Sequence, residues 1–484
     1  MPGSIPPQAP HPPFGQTPLL WRLLLTLALV SLLLDNAWSL GDTAASGAGD
    51  GAEAGSAGGT RLPSADLSAC PGLRIAVING VAYHYEVLAG LLHVLRPYAK
   101  QTDVFLSPYT RSANADGAWD LIRWSKTNMR LLTRSAVSEI QRSNTHYDLV
   151  ILVSTDYELD ANEDLLRHMP RRMTMAYVHN ADFNRTQRLI EVAAGTISGG
   201  FAATDGTAGG GGRSKRKRGG SGGDSTSASS SQTKPATPSE VRLITLAPHI
   251  ARSLEVASGR KADWLLAAYP YRPRTNCMEA TEVDLLGHCL RGFSMQGKFS
   301  SQRRNYSSIW SQLLEKQAEL TDGNVGRLFH MSLLGKGVEE RLGLPPELQP
   351  HVSLLRRLKY RSYYEAIHHT FALIPAMAGP RYLTDKFSST ILTSLIAGTP
   401  MVADARFLEA YSMFNASDVY LQAEGEREVD VMLRVLRSEA ATVLGPRRAL
   451  LSTRRRLNEA AGAYLAELLR GLCETSSGTQ EGSS

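Results

Sequence analysis

Short, continuously apolar runs alternate along the chain with stretches that are apolar every third or fourth residue. Leu73–Gly80 (LRIAVING) is such a run, followed by a helix-periodic stretch from Glu86 to Leu95 and a second run at Asp103–Leu106. A strand apolar on both sides is buried on both faces, and a helix between two such strands returns the chain to lie parallel to the first. The rhythm continues with strands at Asp148–Ser154 and Met173–His179, separated by a helix-like stretch near Glu163–His168. After a polar interruption it resumes at Val241–Ala247, followed by the helical HIARSLEVA. A second series begins near Leu290. It predicts a strand at Phe293–Gly297, a helix at Ile309–Leu320, a strand within Gly326–Gly337, a helix around Tyr363–His369 leading into a strand at Phe371–Met377, and a final helix into a strand at Thr399–Asp404. The fold class is therefore α/β, with two Rossmann-like domains facing a central cleft, where the carboxyl ends of such strands bind ligands.

Composition sharpens the boundaries. A chain of 484 residues with 43% hydrophobic and 20% charged residues is neither wholly disordered nor a polytopic membrane protein. Its 42 glycines are uneven, seven in 41–60 and twelve in 194–240, segments too polar and flexible to pack. The expected organisation is a Pro-rich tail at 1–18, a signal anchor or cleaved signal peptide at 19–40, a flexible stem at 41–72, a first domain at 73–275 interrupted by a disordered insert at 194–240, a second domain at 276–472, and a disordered tail at 473–484. The apolar run after Arg22 is 12 residues, which fits a signal segment. Trp38 and its neighbours would extend it towards the roughly 20 residues of an anchor. Half of the formal charge of +6 belongs to the insert, so no sustained basic face suggests nucleic acid; the KRKR run at 215–218 is a solvated charge run or a nuclear signal. Cys70, Cys277, Cys289 and Cys473 allow three disulfide pairings and lack the spacing of a metal site, while Asn184, Asn305 and Asn415 open glycosylation tripeptides. These features place the folded part in an oxidising lumen.

The stretch richest in chemistry is Thr384–Asp404 (TDKFSSTILTSLIAGTPMVAD), where an acidic residue and a helix start precede an amphipathic helix that stops at Gly398 and Pro400. Backbone N–H groups at Phe387, Ser388 and Ser389, beside the two serine hydroxyls, would cradle a phosphate at the positive end of the helix dipole. The plainer reading is a strand, loop and serine-capped helix. These residues resemble the nucleotide-sugar-binding half of GT-B glycosyltransferases: Asp385 falls at that family's first acidic position, Phe387 at its aromatic, and Gly398-Thr399-Pro400 at its closing turn. Thr393 departs from the pattern, standing where retaining members place a second Glu that holds the nucleotide ribose. Tyr382-Leu383-Thr384-Asp385-Lys386 also resembles a segment of GDP-sugar-using fucosyltransferases, so the nucleotide stays open. The resemblance covers about residues 290–420 in motif and 73–275 in layout.

The resemblance implies a transferase that moves a sugar from a nucleotide-diphosphate donor to a glycan, glycoprotein or other hydroxyl acceptor in the ER or Golgi, with no obligatory cofactor or metal. Donor-binding positions would be His179, Gly297, Arg303, Arg304, Gly335, Lys336, Asp385, Lys386, Phe387, Ser388 and Ser389. Paired guanidinium groups suit a leaving diphosphate because they stay charged and donate in a fork. An exposed basic pair on a helix is the structural alternative. His84, with Glu86 in the same helical turn, would act as general base at the end of the first strand, a task suited to an imidazole; a packing histidine is the alternative for both His84 and His179. His368 and His369 read as packing residues, and a hinge is expected near Tyr269–Arg274. Two other classes fit parts of the chain. A non-catalytic GT-B protein that binds glycan or nucleotide accommodates Thr393, and a metal-dependent GT-A enzyme would use the alternating acids Asp156, Glu158, Asp160 and Asp164. The same run lacks the glycine that an EF-hand needs at its sixth position.

Overall fold

The computed structural model describes residues 70–110, 117–143, 145–155, 165–166, 169–181, 183–194 and 239–477. The signal segment, most of the stem and insert, the alternating acids from Asp156 to Asp164 and the end of the tail lie outside the described residues.

The first sheet holds β1 (Ile75–Asn79), β2 (Thr102–Leu106), β3 (Asn128–Leu131), β4 (Tyr147–Leu152), β5 (Arg171–Val178), β6 (Glu240–Thr245) and β7 (Ala262–Trp264). All pair in parallel, in the order β3-β2-β1-β4-β5-β6-β7. Every residue of β1 and β2 is buried, Asp103 of β2 with its carboxylate paired to Arg74 (2.8 Å). The second sheet holds β8 (Phe293–Lys298), β9 (Met331–Lys336), β10 (Val352–Arg356) and β11 (Ala372–Leu373), in the parallel order β10-β9-β8-β11. A bridge from Leu373 to Met401 continues it into the short pair β12 (Val402–Ala403) and β13 (Tyr420–Leu421). The strand expected at Phe371–Met377 shrinks to two residues because Pro375 cannot donate to a ladder. Both sheets thus share one order in which the first strand neighbours the fourth, and the chain reverses its winding between them. In each, this switch point opens a crevice at the carboxyl ends of the strands. The architecture is α/β, two parallel sheets facing a cleft.

The two halves share a core. Leu88 and Leu92 of helix Tyr85–Val94 belong to the same buried cluster as Ile391 and Leu395 of helix Ser389–Ala397. A backbone strap also joins them: Phe387 N–H donates to His179 O (3.1 Å), Ala181 N–H donates to Asp385 O (2.8 Å), and Asn180 pairs with Lys386 as an antiparallel bridge.

The last helix, Ala440–Ser477, spans 38 residues, about 57 Å at 1.5 Å per residue, and crosses from the second domain back onto the first. Asn458 accepts from Ala268 N–H (2.8 Å) and donates to Ala268 O (2.9 Å), Tyr464 reaches Asp263 (3.2 Å), and a disulfide joins Cys473 to Cys70. The helix therefore runs beyond residue 473, where a disordered tail was expected, because its end is fastened to the start of the first domain. A second disulfide joins Cys277 to Cys289. No helix among the described residues is long and apolar enough to cross a membrane. The segment Tyr269–Arg274, expected as a hinge, is held: Tyr269 stacks on Trp124 (5.1 Å), and Glu365 accepts from the Tyr271 hydroxyl and from Arg274 N–H (3.1 Å).

Candidate functional site

A cavity of about 420 Å³ lies where the two switch points face each other. His84 follows β1 and His179 follows β5, while Gly297 ends β8 and the helix start at Phe387, Ser388 and Ser389 closes the opposite wall. Glu86, Arg303, Arg304 and Lys386 complete the sequence-predicted residues that line it. Gly335 and Lys336 line an adjoining cavity of about 500 Å³, which shares Glu86, Gly297 and Ser389 with the first and adds Tyr363 and Thr393. Gly335 is there for close approach: a Cβ on it would stand 1.8 Å from Gly297 O, so only glycine lets the ends of β8 and β9 meet.

One end of the main cavity is basic. Arg304, expected as a donor-binding residue with an exposed helix position as the alternative, is only 4% exposed and precedes the helix Tyr306–Glu315 that Asn305 caps. Its guanidinium donates to Gln296 O (3.2 Å), Arg303 O (3.1 Å) and Thr390 Oγ1 (2.7 Å). No carboxylate forms an ion pair with it among the described residues. Burial holds its pKa below the usual arginine value, with the charge retained. Thr390 belongs to the first turn of helix Ser389–Ala397, whose positive pole therefore meets the buried cation. The amide cradle expected at Phe387, Ser388 and Ser389 is corrected. Phe387 N–H is used by the strap to His179 O and Ser388 N–H donates to the Tyr411 hydroxyl (3.3 Å). The first-turn amides without a backbone partner among the described residues are those of Ser389, which lines the cavity, and Thr390, which is fully buried behind it. Ser388 Oγ is buried without a hydrogen-bond partner among the described residues.

Asp385 is also corrected. Its carboxylate pairs with Arg381 (3.0 Å), four residues earlier, and its carbonyl serves the strap, so it lines neither cavity. Lys386 places Nζ 5.2 Å from the Tyr382 ring centroid, a cation–π contact at the rim.

The other end carries the histidines. His84 adopts φ of 61°, an uncommon left-handed conformation for a non-glycine residue, just before helix Tyr85–Val94. Its Nδ1 lies 2.7 Å from Ser154 Oγ, at the end of β4, so this contact spans the switch point. Its ring stacks on His179 at 4.0 Å and 10°. His179 Nε2 lies 2.7 Å from Val153 O and donates to it, since a carbonyl only accepts. Burial, then the neighbouring His179 and Arg303, hold the His84 pKa well below 6.5, so the ring is neutral at physiological pH. Burial raises the Glu86 pKa, and the Tyr360 hydroxyl lies 3.4 Å from its carboxylate.

Gln296, Thr390, Tyr360, Tyr363 and Ser154 were not legible as site residues. Gln296 binds Thr390 (2.9 Å) and accepts from the Tyr363 hydroxyl (2.8 Å), linking β8 to two helices. The one available signal was YRSYYEAIH, whose tyrosines recur at helical spacing. His368 and His369 pack as expected. His368 Nδ1 bonds Ala397 O (2.9 Å), and His369 lies against the Cys277–Cys289 disulfide. Asn305 and Asn415 are exposed at helix starts, and Asn184 lies in helix Phe183–Ala194.

No protein-family profile and no curated protein matches this chain. Among solved structures it is similar to a glycosyltransferase from Rickettsia africae (10% identity, 83% of this chain and 98% of that one, TM-score 0.49). It is also similar to Anabaena HepE in complex with UDP and glucose (12%, 82% and 100%, TM-score 0.47) and to the N-terminal domain of Candida albicans trehalose-6-phosphate phosphatase (9%, 86% and 99%, TM-score 0.46). At such distances none of them says what this chain binds.

Proposed function

We propose that the protein is a glycosyltransferase that takes a sugar from a nucleoside-diphosphate donor bound in the cleft. The observation that carries this reading is Arg304: a buried guanidinium without a carboxylate, set against the first turn of a helix whose Ser389 and Thr390 amides have no backbone partner, is half of an anion site. The diphosphate would lie on the amides of Ser389 and Thr390 with Arg304 behind it and Arg303 and Lys298 at the mouth. The nucleoside would occupy the adjoining cavity, against Tyr363 and beside Thr393.

The sugar then faces His84. With Nδ1 donating to Ser154, the His84 lone pair sits on Nε2, where it can take the proton of an acceptor hydroxyl. The acceptor oxygen bonds the anomeric carbon as the bond from that carbon to the diphosphate breaks, and the electron pair leaves on the nucleoside diphosphate. Arg304 and the helix pole stabilise that developing charge. The acceptor is a glycan, glycoprotein or other hydroxyl compound. Thr393, at the position the resemblance gives to a ribose-binding Glu, favours a second reading, a nucleotide- or glycan-binding protein without turnover; donor hydrolysis that disappears in His84→Ala excludes it. Two disulfides support a site of action in an oxidising lumen, with 19–40 as signal segment and Asn184, Asn305 and Asn415 as glycan acceptors.

The test is a thermal-shift series with UDP-, GDP- and CMP-sugars. A ligand at 100 times its Kd stabilises by about 2.7 kcal/mol, so one nucleotide class should raise Tm clearly. No shift with any of them ends the proposal.

A further inference from the structure

Helix Ser389–Ala397 points its amino end into the cavity, and its carboxyl end is gripped with unusual completeness. The last carbonyls of a helix have no partner within it and usually meet water. Here Leu395 O and Ile396 O both accept from Arg454 Nη1 (3.1 Å each), Ala397 O pairs with His368 Nδ1 (2.9 Å), and Gly398 O accepts from Arg447 Nη1 (3.3 Å). Arg447 is fully buried and also holds His368 O (3.0 Å) and Thr370 O, at the entrance to β11. No carboxylate pairs with either arginine among the described residues. Both come from the last helix, seven residues apart and therefore on one face.

A fully buried cation, Arg447, and a half-buried one, Arg454, held without a counter-ion are costly, and hydrogen bonds to carbonyls alone could be made by neutral side chains. What cations add is charge at the negative pole of the helix. They cancel that pole, so the positive pole, about 13 Å away along nine residues, acts unopposed on an anion. Because the same long helix is tied to the first domain at Asn458 and Cys473, the grip also fixes the helix relative to the wall that carries His84.

We propose that Arg454, with Arg447 behind it, is a positioning residue for the donor, holding and polarising helix Ser389–Ala397 from its far end so that its first turn binds the diphosphate. The inference rests on the nucleotide-sugar reading of the cavity. Arg454 is the residue to change, since it is half-buried, whereas loss of Arg447 would open the core. Arg454→Gln removes the charge and leaves a donor for the carbonyls; Arg454→Lys restores the charge. Calorimetric Kd values for UDP, GDP and inorganic diphosphate are compared with Tm for the wild-type protein and both variants. Arg454→Gln is expected to weaken each probe that the wild-type protein binds about fivefold, and Arg454→Lys to stay within about twofold of the wild-type protein, whatever either does to Tm. A purely structural role would lower Tm and leave Kd unchanged in Arg454→Gln, and that result overturns the inference, as does a Lys variant that binds as poorly as Gln. If Arg454→Gln does not fold, Arg454→Lys decides: a Kd raised more than about fivefold with the charge kept is the overturning result. A wild-type protein that binds none of the probes fails the nucleotide-sugar reading itself, a different outcome from tight wild-type binding that the variants leave untouched.

Discussion

Replacing Arg304 by Met separates a structural from a ligand-binding role, because the structure predicts a small effect on the free protein and a large one on binding. In the free protein the substitution removes hydrogen bonds to Gln296 O, Arg303 O and Thr390 Oγ1, each worth a net ~0.5–1.5 kcal/mol. It also removes an unpaired buried charge, whose desolvation costs several kcal/mol. Thr390 keeps its bond from Gln296. These terms nearly cancel, so the free protein should change by no more than about 1–2 kcal/mol, a few degrees in Tm. With a diphosphate bound the balance reverses. Removing one partner of a buried ion pair costs about 3–5 kcal/mol, which corresponds to a rise in Kd of roughly 10²-fold to several thousandfold. The assay is calorimetric titration of the nucleotide that the wild-type protein prefers, alongside thermal melts of both free proteins. A variant that melts more than about 10 °C lower yet binds with wild-type affinity would refute the reasoning, since Arg304 would then be a core strut.

Three further outcomes follow from the geometry. His84→Ala should abolish transfer while leaving donor Kd within about threefold, and wild-type kcat/KM should stay level down through pH 6.5, falling only in more acid solution, because protonation of this base is resisted by burial, His179 and Arg303. The sign for stability is the same: the unfolded chain takes this proton near pH 6.5 and the folded one does not, so stability declines as pH falls through that value. An acid limb centred at or above 6.5 would mean another group is the base. Cys70→Ser should lower unfolding free energy by about 2–5 kcal/mol in denaturant titration, since the bridge closes a loop with a sequence separation of 403; an unchanged midpoint would show that the last helix docks without it. Gly335→Ala should destabilise by about 1–3 kcal/mol or more and weaken nucleotide binding, because its Cβ would meet Gly297 O; a silent substitution would contradict the close approach of β8 and β9.

The strands that organise the cleft were legible because they are buried on both faces. β1 reads as an apolar run, β5 as one interrupted by Thr174, and β8 as a short strand around Phe293 and Met295 closing on Gly297, and His84 and His179 could be singled out from their positions at strand ends together with the family resemblance. Edge strands were not legible. Asn128–Leu131 and Val352–Arg356 are only partly buried, so neither an apolar run nor a clean alternation marks them. The long last helix escaped notice too, and with it the arginines at 447 and 454. At the site, residue identities were readable and their partners were not. Nothing local to Phe387 says that its amide is taken by His179 O, more than two hundred residues earlier. Nothing in an Arg-Arg pair says that the second is buried and the first exposed. The Asp385 motif position was right for the pattern, but Arg381 one turn earlier takes its charge away from the cavity.

The central claim is that a diphosphate binds between Arg304 and the first turn of helix Ser389–Ala397, and it is tested most directly by a crystal structure with the preferred nucleoside diphosphate. The account predicts phosphate oxygens within about 3.2 Å of the Ser389 and Thr390 amides and of the Arg304 guanidinium, with the base in the cavity beside Tyr363 and Thr393. A nucleotide seated instead in the separate cavity of about 310 Å³ behind Pro375–Pro380, with Arg304 untouched, would contradict it.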